Sequence, residues 1–236
     1  MRDLYQPGRS TVHAPNGMAA TSHPLSTTAA LNILQSGGNA MDAAVAAVAV
    51  QCVVEPQSTS IGGDCFCLYS PKGREVIAYN GSGTAPAAAK VEWFIENGIS
   101  QIEQHSPHSV TIPGAIDAWS QLLSDHGTME FNQVLLPAIE YARYGYPVNH
   151  RQCYDWSLCE ELLSKDSTSR EQYLFGGKSP KIGTVIKLPL LANTLEHLAD
   201  RGREGFYGGW VAEDIVSYLQ SLGGLHTLDD FSSYSG

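Results

Sequence analysis

Charge is scarce in this chain. Only 16% of its 236 residues are Asp, Glu, Lys or Arg, and 14 basic residues stand against 24 acidic ones, a formal net charge of -10. No cluster of Lys or Arg occurs, and affinity for a phosphate backbone comes chiefly from such cations displacing counterions. Nucleic acid is therefore not an expected partner. Long apolar runs are missing as well. The longest, Ala43 to Val50, is ended by Gln51 and falls far short of the roughly 18 residues that a membrane span requires. No membrane partner is expected. Met1 to Asn16 carries Arg2, Asp3, Arg9 and His13 without an apolar stretch, so no secretory signal is read there and a cytoplasmic location is expected. Five cysteines (Cys52, Cys65, Cys67, Cys153 and Cys159) are odd in number and sparse, which fits free thiols better than a disulfide framework.

Several chemical signatures are also lacking. Gly62-Gly63 precedes an extended run, where backbone N–H groups can approach an anion. Yet no G-x-G-x-x-G opens a helix and no G-x-x-x-x-G-K-S/T occurs, which argues against a nucleotide. Cys65 and Cys67 share one face of a strand, since side chains two apart point the same way. Without a C-x-x-C or H-x-x-x-H partner they read as buried residues and not as a metal pair. No G-x-S-x-G elbow exists, so a Ser-His-Asp triad finds no support. His105 and His108 flank Ser106-Pro107 on a loop and could form an acid–base pair, although loop histidines are more often ordinary hydrogen-bonding residues. His23-Pro24 is equally weak as a signal.

What is present is a globular composition: 43% apolar residues, 23 glycines and 12 prolines, enough chain to bury about 70% of its unfolded surface. Residues 1–16 are polar and read as a flexible lead-in, with order beginning near Gly17. Leu25 to Ser36 has helical spacing and is followed by Gly37-Gly38, suited to a C-terminal cap. Asn39 to Val54 contains six alanines and five valines with little polar face, the pattern of a helix enclosed on all sides. Its small side chains predict close packing flat on a sheet. Glu55-Pro56 ends it. Asp64 to Ser70 and Arg74 to Asn80, joined by Pro71-Lys72-Gly73, read as a hairpin. Helices are predicted over Val91 to Asn97, Ala115 to His126, Phe131 to Tyr144, Gln152 to Lys165, Leu190 to Asp200 and Val211 to Leu222. Two strands and a third around Thr184 to Leu188 are too few for an independent sheet. Further strands are expected from another segment or chain.

Taken together, Gly17 to Leu25, Gly37-Gly38-Asn39-Ala40-Met41-Asp42-Ala43-Ala44, Glu55-Pro56-Gln57-Ser58 and Ile61-Gly62-Gly63 resemble the opening of the γ-glutamyltranspeptidase family in order and spacing. The likeness continues through Ala85-Pro86-Ala87, Thr111 to Gly114, Pro137 to Ala142, Phe206-Tyr207-Gly208-Gly209 and Leu228-Asp229-Asp230-Phe231. The resemblance implies an α+β fold: a four-layer αββα N-terminal-nucleophile hydrolase sandwich, here incomplete, a helix-rich segment lacking the small-subunit strands. Residues 17–236 would be the N-terminal portion of the large subunit.

In that family a precursor cuts itself in two, and the new N-terminal threonine of the small subunit attacks an amide. The threonine and its oxyanion glycines lie beyond the point matching Gly236. The resemblance thus implies no catalytic residue in this chain, no cofactor and no metal. Thr59, Thr84, Thr111 and Thr184 are read as structural hydroxyls. The implied partners are the small-subunit segment of the same precursor and a small amide substrate, with a homodimer of processed heterodimers as a further option. Relatives specific for γ-glutamyl groups carry an arginine in the loop after the hairpin. Alignment back from Ala85-Pro86 puts Ser82 at that place, and no arginine occurs between Arg74 and Arg143. Asn80, Ser82 and Thr84 are the substrate-binding candidates. The expected activity is γ-glutamyl transfer or glutathione hydrolysis. The alternatives are an oxamate-type amidohydrolase or β-lactam acylase, or a catalytically silent binding module on the same scaffold.

Overall fold

The computed structural model describes residues 11–236. Of the predicted lead-in, residues 1–10 lie outside the described residues, and residues 11–16 are exposed and without regular structure. The first helix, α1 (Pro24–Gln35), opens with proline at its first position, and His23 Nδ1 accepts the Leu25 N–H at 3.1 Å. It closes on Gly37, whose φ of +96° disfavours residues with a Cβ. Helix α2 (Ala40–Val54) follows at once, capped by reciprocal hydrogen bonds between Asn39 and Asp42. Asp42 is fully buried and also accepts from the N–H groups of Thr128 and Met129 and from the Thr128 hydroxyl. These bonds fasten the start of α2 to the turn between α4 (Ala115–His126) and α5 (Phe131–Tyr144).

Helix α2 is almost wholly enclosed; between Met41 and Val54 only Ala44 is exposed. Its main neighbours are α1 and α5, with α4 beside them. The prediction that it presses flat on a sheet is therefore corrected. Alanines at Ala43, Ala46, Ala47 and Ala49 admit two helices at close range, and the short hairpin is taken up by α4 instead. The hairpin itself pairs β1 (Cys65–Tyr69) with β2 (Ile77–Gly81), Cys67 opposite Tyr79. Arg74, Glu75 and Val76, expected to be in the second strand, remain exposed loop.

After α3 (Val91–Glu96) and a single 3₁₀ turn at Pro107–Ser109, α4 and α5 run over the residues that the periodicity predicted. Val134, Leu135, Ala138 and Ala142 form the buried stripe of α5. β3 (Tyr146–Pro147) then pairs with β4 (Val185–Ile186), so the third predicted strand exists but joins a separate ladder and not the hairpin. The single helix predicted over Gln152 to Lys165 is two, α6 (His150–Leu158) and α7 (Glu160–Lys165), hinged at Cys159. Next come α8 (Ser167–Tyr173), α9 (Pro189–Arg201), α10 (Glu204–Tyr207), α11 (Gly209–Ser221) and α12 (Leu228–Ser232). The sheets among the described residues are both two-stranded. No helix among them is long and apolar enough to cross a membrane, and all five cysteines are free.

Candidate functional site

Three backbone segments meet where β2 ends. Gly63 accepts hydrogen bonds from the N–H groups of Gly114 (3.1 Å) and Ala115 (2.9 Å), while Ile112 N–H donates to Thr84 O at 2.9 Å. The approach is so close that a Cβ on Gly83 would sit 1.7 Å from the Ile112 carbonyl oxygen, and one on Gly114 would sit 2.1 Å from that of Gly81. Only glycine fits at either place without moving backbone. The stretch 80–86, the end of β2 and the loop after it, is thereby laid against the start of α4.

Further contacts fix it. Asp64 Oδ1 accepts the Gly83 N–H at 3.2 Å, and the Tyr234 hydroxyl donates to Ser82 O at 3.1 Å. Ala87 N–H donates to Asp230 Oδ1 at 2.8 Å. Asp230 is itself held in the α12 capping box with Thr227. Burial pushes the Asp230 carboxyl up, but these donors outweigh it and leave its pKa below the usual carboxylate value. On the loop side, every one of these bonds uses a backbone group.

Asn80, the last residue but one of β2, thus leads into a pinned loop that carries Ser82 and Thr84. Asn80 is exposed, and its Oδ1 accepts the Ser82 N–H at 3.1 Å, a local turn. Ser82 is half-buried and Thr84 exposed. All three offer neutral polar groups, and the loop holds no cation.

Besides Asp64 and Asp230, the charge nearby belongs to Asp117 and Arg203, which form an ion pair with most of both side chains shielded. Asp117 also accepts the Gly236 N–H at 3.0 Å, and Arg203 donates to the Tyr234 carbonyl. The Tyr207 ring lies 4.5 Å below the guanidinium and stacks on Tyr234 at 5.4 Å. The Tyr207 hydroxyl donates to Pro113 O at 2.6 Å. Tyr79 completes the group; burial and then the Asp117 charge push its phenol up to about 12. This cluster holds residues 234–236 under the glycine crossing. Its members come from β2, α4, Arg203 with α10, and residues 234–236, up to 119 positions apart for the hydrogen-bonded Asp117 and Gly236 pair, so local pattern gave no signal for it.

The other sequence candidates are dispersed. His108 packs against Trp93 and Phe94, at ring distances of 5.3 and 5.6 Å, while His105 is exposed. They do not form an acid–base pair. His23 is buried as the α1 cap. Cys65 and Cys67 do share the inner face of the hairpin, and burial pushes both thiols up, away from reactivity. Thr59 lies 3.9 Å from Cys52, and Thr184 O accepts the Val148 N–H. No group of three or more His, Cys, Asp or Glu side chains among the described residues is placed to hold a metal ion.

A family model described as Gamma-glutamyltranspeptidase matches residues 26–236. The chain is 37% identical over 93% of its length to the glutathione hydrolase-like YwrD proenzyme of Bacillus subtilis, of which it covers 42%. It is 33% identical over 93% of its length to the oxamate amidohydrolase proenzyme of Klebsiella pneumoniae, again covering 42% of that protein. Among solved structures, the cephalosporin acylase from Bacillus halodurans superposes with a TM-score of 0.92 at 35% identity, over 99% of this chain and 45% of the acylase. The chain therefore spans about two fifths of the length of the curated relatives it matches.

Proposed function

The chain belongs to the γ-glutamyltranspeptidase family, and from this we propose that it is the large-subunit segment of a threonine amidohydrolase that cleaves an amide through an acyl-enzyme. The observation that carries the reading is the family match across residues 26–236, which takes in the glycine crossing and the loop 80–86. In this reading the attacking hydroxyl lies outside these residues, on the small-subunit segment of the same precursor. A threonine hydroxyl is a weak nucleophile, but the free α-amine of the same residue, with a pKa of about 7.7–8.0, serves as its base once autocleavage has exposed it. Water or an acceptor amine then releases the acyl group, and backbone N–H groups stabilise the tetrahedral oxyanion.

The contribution of this chain is one wall of the pocket. Ser82 and Thr84 project from a backbone pinned by bonds that do not use their side chains, and the Asn80 amide helps to shape it by accepting the Ser82 N–H, so the three meet a substrate with little reordering cost. The free thiols fit the reducing conditions of the cytoplasm. Expressed whole, the precursor should resolve into two bands on a denaturing gel, the smaller beginning with threonine. A precursor that stays intact and inactive would favour the silent binding module.

Ser82 favours a second reading of the substrate. A guanidinium fork grips a carboxylate with two charge-assisted hydrogen bonds, and a serine hydroxyl supplies at most one neutral bond. An oxamate or acylated β-lactam substrate is the alternative to a γ-glutamyl one. The processed enzyme assayed on γ-glutamyl-p-nitroanilide, oxamate and a glutaryl β-lactam separates them. On the second reading, Ser82→Arg raises γ-glutamyl turnover; a drop in that turnover on the same change would support the first.

A further inference from the structure

Asp64 stands where the glycine crossing meets the stretch 80–86. Its backbone is fixed on both sides: the Gly63 carbonyl accepts the N–H groups of Gly114 and Ala115, and Cys65 pairs with Gly81 in the hairpin register. One carboxylate oxygen, Oδ1, accepts the Gly83 N–H at 3.2 Å. The other, Oδ2, accepts no hydrogen bond from the described residues, and the residue is exposed. The ion pairs among the described residues all use other carboxylates. Asp64 thus brings an uncompensated negative charge to the loop and is anchored there by a backbone N–H.

The surroundings do not offset that charge. Residues 80–86 include no charged side chain. Asp230, the second carboxylate beside the loop, is occupied by Ala87 and Thr227. Arg203 is the cation of the cluster beneath, and its donors go to Asp117, Glu204 and the Tyr234 carbonyl. The field of Asp64 is felt by an anchor of the loop: burial pushes the Tyr234 phenol up, and the charges of Asp117 and then Asp64 add to it. The hydroxyl of that tyrosine is the donor to Ser82 O.

Ser82 and Thr84 are the chain neighbours of Gly83, so a charged group held by either hydroxyl stands within about 10 Å of the carboxylate, roughly one screening length at 0.1 M salt. A carboxylate there is repelled, whereas an ammonium is attracted and can donate to Oδ2. Resting on the reading that this loop meets the substrate, we propose that Asp64 is a specificity-determining residue of the wall, selecting an acyl group that presents an ammonium, and not a carboxylate, to the loop. A γ-glutamyl group then turns its ammonium to Ser82 and Thr84.

Three p-nitroanilides of one acyl length separate the charges: 4-aminobutyryl carries the ammonium alone, glutaryl the carboxylate alone and butyryl neither. They are assayed with the whole precursor after processing, the uncatalysed release of nitroaniline being subtracted. The kcat/KM for 4-aminobutyryl is expected to exceed that for glutaryl at least tenfold, or about 1.4 kcal/mol, with butyryl between them. Asp64→Asn keeps an oxygen for the Gly83 N–H and removes the charge. It is expected to lower kcat/KM for 4-aminobutyryl and to raise it for glutaryl, whereas damage to the loop would lower both. A wild-type ratio near one, or a variant that moves both substrates in the same direction, would overturn the proposal. Should the variant not process, the wild-type ratio decides alone. An enzyme that resolves into two bands but cleaves none of the three overturns this proposal and leaves the amidohydrolase reading standing; a precursor that stays in one piece overturns both.

Discussion

Asp42 has no exposed surface, yet its carboxylate accepts from four donors: the N–H groups of Asn39, Thr128 and Met129 and the Thr128 hydroxyl. Burial pushes its pKa up, but these hydrogen bonds outweigh that and hold it below the usual aspartate value. A carboxyl whose pKa is depressed on folding contributes stability that is complete above its unfolded value of about 3.9 and is lost as pH falls through the folded one. Asp42→Ala strands donors from two segments and should cost about 3 kcal/mol at neutral pH. Urea unfolding followed from pH 7 to pH 2.5 checks both points: the difference between wild type and variant should shrink below about pH 4. Curves that stay parallel would assign the loss to packing alone. The sequence pattern of this segment was read only as an enclosed helix, and this arrangement was not anticipated. Asn39 and Asp42 stand at capping-box spacing, but Thr128 lies 86 positions away, and nothing in local pattern points to it. The same holds around Asn80, Ser82 and Thr84, whose loop is contiguous in sequence. Its anchors Asp64, Asp230 and Tyr234 come from elsewhere; the Tyr234 hydroxyl reaches Ser82 across 152 positions.

Among the elements, α4 and α5 were fully legible because each has a clear apolar stripe and a glycine just past its end, Gly127 and Gly145. The break between α6 and α7 was not, since Cys159 is neither proline nor glycine and the hydrophobic spacing continues through it. Short helices such as α10 and α12 are under two turns and too brief to show a period. Helix α2 was recognised as buried, but composition could not say whether a sheet or two helices cover it, since alanine permits close approach to either. The packing can be tested by adding volume. Ala49 is 0% exposed, so Ala49→Leu must displace its neighbours and should destabilise by about 2–3 kcal/mol. Ala44 is exposed on the same helix, and Ala44→Leu should change stability by less than about 0.5 kcal/mol. Equal losses at the two positions would mean that α2 is not enclosed as described.

At the scale of the molecule, the hairpin leaves one face uncovered. Phe66 is 70% and Leu68 79% exposed, with Asn80 and Ala78 opposite them in the register. Both sheets among the described residues have only two strands, below the number that is stable without support. The sequence had already signalled the shortage of strands, because helical periods outnumber alternating ones; which surface would be left bare became visible only from the register. An uncovered face of this kind should bind a hydrophobic dye. The double change Phe66→Lys and Leu68→Lys should cut dye fluorescence severalfold while leaving the unfolding midpoint unchanged, since neither side chain enters the core. Undiminished fluorescence would place the dye elsewhere. The central claim is that this chain supplies a pocket wall while the attacking threonine belongs to the small-subunit segment. It is tested most directly by measuring nitroaniline release from γ-glutamyl-p-nitroanilide and ammonia release from oxamate, first with the purified 236-residue chain and then with the whole precursor that contains it. The account predicts no turnover from the chain alone and turnover of at least one substrate when the threonine-bearing segment is present; turnover by the chain alone would contradict it.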